Sequence, residues 1–148
     1  MFHDYKKYIK ILLDYAENQG FKVDLNYFRT SEIYWVDLNI PSEINIEGRY
    51  NDELKVYVFL HELGHNELRK DWDSYNNILP NVANAEKVNE SKFKRRIGYY
   101  VSCLEEEYKA WDKGLELAEK LGIIVRRGVW DSFRDRCLMG YIRYFGKK

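Results

Sequence analysis

The run Val56-Tyr57-Val58-Phe59-Leu60-His61-Glu62-Leu63-Gly64-His65 constrains this chain more than any other stretch, because it sets two imidazoles and a carboxylate inside an otherwise apolar segment. A helix carrying such a run has to bury it, and unpartnered imidazoles are costly to bury. The spacing H-E-x-x-H supplies a remedy. Two His residues four apart stand one above the other on a helix, so both rings can reach one metal ion at about 2.0–2.1 Å from each ring nitrogen. Glu62, beside the first His, projects at an angle suited to a water on that ion, where it can take the water's proton. Zinc lowers the pKa of such a water from about 16 to near 7, which lets a carboxylate base deliver hydroxide to a carbonyl. Amide hydrolysis is the expected reaction. The contrary reading is ordinary helix surface that matches a short pattern by chance; against it, the chain has only three His and the motif takes two.

The flanking sequence supplies an α+β frame. Phe2, Tyr5, Tyr8, Ile9, Leu12, Leu13 and Ala16 recur at helical spacing, and Gly20 follows where a helix end takes a left-handed residue, which predicts a first helix. "FKVDLNYF", "EIYWVDLNI" and "EINIEGRY" are rich in β-branched and aromatic residues, and "RTS" and Pro41-Ser42 divide them into three short predicted strands. Asn51-Asp52 offers an N-cap for the motif helix. Residues 71–90, rich in Asn and Asp and holding Pro80, predict an irregular excursion or a short helix. A long helix from about Ser91 to Leu121 follows, stopped by Gly122, and then a last amphipathic helix with Trp130, Phe133, Cys137, Tyr141 and Tyr144 on one side. The length of 148 residues suits one domain, residues 1–148, and not two.

Charge narrows the partners. The formal net charge is zero, so the molecule as a whole attracts neither nucleic acid nor an anionic membrane, and the expected partner is a protein or peptide substrate. Residues 122–148 hold seven Lys and Arg against two Asp, a local +5 that reads as solvated helix charge ahead of a DNA contact. "MFHDYKKYIKILLDYAENQG" mixes charged and apolar residues and so has neither a signal-peptide core nor a membrane span; a cytoplasmic location is expected. Cys103 and Cys137 lack C-x-x-C spacing, which excludes a zinc ribbon or thioredoxin-type motif and suggests buried free thiols. The apolar residues of the last helix fit a core or a subunit interface equally, so oligomeric state stays open.

Catalytic zinc takes three protein ligands and keeps a position for water, so a third ligand must come from elsewhere. Asp71 lies six residues after His65, but Leu68 stands where a chain turning back to the metal needs Gly, and in a continued helix Asp71 sits about 9 Å along the axis from His65. The second candidate lies in "CLEEEYKAW". At 100° per residue, Leu104, Tyr108, Trp111, Leu115 and Ala118 centre an apolar stripe, and Glu107 falls about 60° from Leu104 on that side. Glu105 shares a face with Lys109, Asp112 and Glu116, and Glu106 falls almost opposite Leu104, so both are expected to face solvent. An inward Glu107 needs a partner, either a metal ion or an Arg or Tyr side chain.

These residues together resemble the ImmA/IrrE family of zinc-dependent metallopeptidases, common on phages and other mobile elements. The resemblance runs from about Phe21 to Leu121, through "INIEG", the string His-Glu-Leu-Gly-His at 61–65, and Glu107-x-x-Ala110. It implies an α+β, zincin-like fold, one Zn2+ held by His61, His65 and Glu107, Glu62 as general base, and a protein substrate such as a DNA-binding repressor. It also implies that the strand before the motif helix, about Ile44 to Gly48, presents an open edge to the substrate backbone. Tyr99 and Tyr100, two turns before Glu107, are candidate donors to the developing oxyanion. The alternative is a zinc-binding interaction protein of phage or plasmid origin that binds a regulator without cleaving it.

Overall fold

The computed structural model describes residues 3–35, 42–70 and 97–147. Helix α1 spans Tyr5–Asn18 and starts where the Asp4 carboxylate accepts the Lys7 amide hydrogen bond. Tyr8, Leu12 and Ala16, each four apart, form its buried stripe, and Gly20 at φ 89° turns the chain into β1, Phe21–Tyr27. In β1 the exposed Lys22, Asp24 and Asn26 alternate with inward Phe21, Val23 and Leu25. Strands β2, Glu32–Tyr34, and β3, Ser42–Glu47, complete the sheet.

The strand order is β1-β3-β2, with β1 parallel and β2 antiparallel to β3. This corrects the expectation of an open edge at residues 44–48. Ile44 pairs with Val23 on one side and Ile33 on the other, and the Gly48 amide donates to the Tyr27 carbonyl. A central position explains why β3 is the apolar-cored strand of the three: fully buried Ile44 and Ile46 face the helices, while Asn45 and Glu47 are covered on the other face. Among the described residues β1 and β2 are the edge strands.

Helix α2, Asp52–Arg69, begins at the expected cap, where the Asn51 side chain accepts from the Leu54 amide at 2.9 Å. Every residue from Val56 to His65 is buried, so this helix is enclosed on all sides and not merely on one face. It packs against α1, the sheet and, most extensively, α3, Ile97–Leu121, which Gly122 at φ 73° terminates. The expected start of α3 near Ser91, Asp71 and the irregular 71–90 segment lie outside the described residues. Helix α4, Arg127–Gly146, docks through aromatic edges: the Trp130 ring meets Tyr57 at 5.3 Å and Trp111 at 5.0 Å, both near perpendicular. Among the described residues the fold is thus α+β, four helices around a three-stranded sheet. No helix of the described residues is long and apolar enough to cross a membrane.

Candidate metal centre

The four-residue spacing on α2 brings the His61 and His65 rings to 4.6 Å between centroids, and both are buried. Their Nε2 atoms face each other at 3.3 Å. Glu107 comes from α3: its carboxylate lies 3.1 Å from His61 Nε2 through one oxygen and 3.4 Å from His65 Nε2 through the other. Donors at about 2.0–2.1 Å around a tetrahedral ion stand about 3.3 Å from one another. These separations match that value, and His61, His65 and Glu107 together could hold a metal ion. Among the described residues the buried Glu107 Oε2 makes no hydrogen bond that satisfies it, as an oxygen gathered for an ion would not, and His61 Nδ1, on the far side of its ring, is unpaired as well.

Glycine decides how Glu107 arrives. A Cβ on Gly64 would sit 2.0 Å from the Ala110 carbonyl oxygen, and one on Gly114 would sit 2.8 Å from that of Leu60. The two helices therefore touch backbone to backbone along Gly64, Ala110 and Gly114, one turn beyond Glu107. The small residues in His-Glu-Leu-Gly-His and Glu-x-x-Ala are the contact that draws α3 in far enough for a short carboxylate arm to reach both rings.

The two imidazoles are held differently. His61 stacks on Trp111 at 4.2 Å between ring centres and 17° between planes. His65 Nδ1 lies 2.9 Å from Glu106 Oε1. Glu106 thus turns to the site and not to solvent, contrary to expectation; its side chain is only 15% exposed. The expected stripe was centred on the large apolar residues, but the buried line of α3 runs through Glu107, Ala110, Trp111, Gly114, Leu117 and Ala118, about 75° further round the helix. That rotation puts Glu107 near its middle and Glu106 at its margin. Glu105 is exposed as expected and pairs with Lys109 at 2.9 Å.

Electrostatics follow from the burial. Burial pulls His61 below its usual value. It acts the same way on His65, but the Glu107 and Glu106 carboxylates outweigh it and leave that ring well above. Burial alone would raise Glu107; the facing His65 and His61 reverse this and hold the carboxyl well below the usual range. On Glu62 burial outweighs the pull of the His65 cation, the Glu107 and Glu106 carboxylates add to it, and the carboxyl is pushed up to about 8.

Glu62 and His61 lie at one side of a cleft of about 530 Å³ walled by Tyr50, Val58, Trp111, Cys137, Tyr141 and Tyr144, with Thr30 and Ser31 at its edge. Cys103 and Cys137 form no disulfide and are only half-buried. Neither Tyr99 nor Tyr100 lines this cleft, and Tyr100 instead stacks on Phe145 at 4.8 Å. Tyr141 lines the cleft instead, and burial together with the Glu107 carboxylate raises the pKa of its hydroxyl. The sequence puts Tyr141 on the amphipathic face of the last helix but carries no signal that links that face to His61, His65 and Glu107, since the link is made by α4 packing on α3. No protein-family model, curated protein or solved structure matches the chain.

Proposed function

We propose that this chain is a zinc-dependent metallopeptidase with a zincin-like arrangement, in which His61, His65 and Glu107 hold the ion and Glu62 is the general base. The observation that carries the reading is the convergence of two imidazole nitrogens and one carboxylate at tetrahedral-edge spacing, beside a cleft that also contains Glu62. Three protein ligands leave a position for water, whereas a structural site is normally closed by four. When bound, zinc would supply Lewis-acid polarisation and an acidified water. Glu62 accepts the proton of the attacking water at its carboxylate and passes it to the leaving nitrogen as the C–N bond breaks. The role of donor to the developing oxyanion is assigned to the Tyr141 hydroxyl, because Tyr141 lines the same cleft as Glu62 and His61. The substrate is a protein, with DNA-binding repressors as the first class to screen.

The test measures zinc content and cleavage of a library of internally quenched fluorescent peptides. Wild type should hold about one zinc per chain and cleave a subset of the library, while Glu62→Gln keeps the zinc and loses about 10²–10⁴-fold in turnover. Zinc without cleavage of the library or of repressor proteins would favour the interaction protein. A folded chain that takes up no zinc would overturn the metal centre.

A further inference from the structure

The triplet Glu105-Glu106-Glu107 divides its labour in a way the proposed metal centre does not by itself require. Glu105 pairs with Lys109 on the surface, and Glu107 faces both Nε2 atoms. Glu106 reaches over the margin of α3 to the opposite nitrogen of His65, with Oε1 2.9 Å from Nδ1. An imidazole with one ring nitrogen turned to a cation site must present a lone pair there, so its proton belongs on the other nitrogen. A carboxylate at Nδ1 can only accept, and it therefore favours the tautomer whose proton sits at Nδ1 and whose lone pair sits at Nε2. Among the described residues His61 has no such partner: its Nδ1 is buried and unpaired, and its ring stacks on Trp111 instead.

We propose that Glu106 is a positioning residue that fixes the tautomer and ring orientation of His65 and so prepares one of the two imidazoles for the ion. This rests on the metal-centre reading above. Glu106 is not itself a ligand, because it meets the nitrogen that points away from His61 and Glu107. Partners of this kind typically account for about 10–100-fold in metal affinity.

The test compares wild type, Glu106→Gln, Glu106→Ala and Glu105→Gln by zinc affinity, read in competition with a chromogenic chelator, and by the ring ¹⁵N shifts of His65. Glu106→Ala should weaken zinc by about 10–100-fold and, in the metal-free protein at a pH high enough to leave His65 neutral, mix the His65 tautomers. Glu106→Gln, whose amide oxygen still accepts from Nδ1, should recover much of both, and Glu105→Gln should change neither. Helicity and the unfolding midpoint of the metal-free variants identify any that fail to fold, in which case the isosteric Gln variant decides by its tautomer shifts. Wild-type affinity and shifts in both Glu106 variants would overturn the role of Glu106 alone. No zinc uptake by wild type would overturn the metal centre, and this inference with it.

Discussion

Helix α2 carries two buried carboxylate-centred clusters about 12 Å apart, and they are built on opposite plans. At Glu53 everything is closed. Oε2 accepts from Tyr5 and Tyr57, each at 2.7 Å, and from Arg126 Nε at 2.6 Å, while Arg126 Nη2 bonds the other oxygen. The Tyr57 hydroxyl in turn accepts the Arg126 backbone amide at 2.9 Å. The result ties α1, α2 and the start of α4 together, and the Arg126 guanidinium holds the Glu53 carboxyl down at about 2. At His61, His65 and Glu107 the groups are equally buried, but among the described residues Glu107 Oε2 and His61 Nδ1 lack partners and the two Nε2 atoms face each other. A buried polar network stabilises when each member is satisfied and is costly when it is not. The satisfied cluster reads as structure, and the unsatisfied one as a place where something binds.

The strongest way to break this contrast is at Gly64, which serves the open cluster alone. Gly64→Ala drives a Cβ into the Ala110 carbonyl, so α3 must move away. Urea unfolding should show a loss of about 3 kcal/mol, the upper end for overpacking, and zinc affinity should fall more than tenfold. An unchanged affinity would mean that the helix contact does not set the reach of Glu107.

Glu53→Gln attacks the closed cluster and should leave the open one alone. A loss of about 2 kcal/mol is expected, from weakened hydrogen bonds to Tyr5, Tyr57 and Arg126, with zinc content unchanged. The effect also has a pH signature. The folded carboxyl titrates near 2 against an ordinary 4.5, so its stabilisation is complete above about 4.5 and disappears as pH falls toward 2. Stability of wild type minus Glu53→Gln, measured in urea from pH 6 to pH 2, should shrink over that window. A constant difference would remove Glu53 as the source.

Glu105→Gln sharpens the comparison by doing least. Its pair with Lys109 is solvent-exposed, so unfolding should shift by less than about 0.5 kcal/mol and zinc affinity should stay put. A larger effect would mean that the three adjacent glutamates do not divide between surface and site as the contacts indicate.

Local chemistry was legible in advance. The Asn51 cap, the left-handed Gly20 and Gly122, and the adjoining rings of His61 and His65 each depend on a few neighbouring residues along the chain, and each stands where the sequence places it. Glu107 was also legible, because it falls inward under either estimate of the helix face. Glu106 was not. The apolar stripe was weighted by large side chains such as Leu104 and Tyr108, whereas Tyr108 is 44% exposed and the true contact line uses residues small enough to let two backbones touch. The order of the strands was hidden for a related reason: hydrogen bonding between β1, β3 and β2 joins residues distant in sequence, and nothing in "EINIEG" distinguishes a central strand from an edge. The sequence by itself thus determined which donors stand together on α2, since helical geometry ties angle to spacing. Only the tertiary structure decided that Glu106 joins Glu107 in meeting them, and at which nitrogen each does so, because that depends on where Gly64, Ala110 and Gly114 allow two helices to cross.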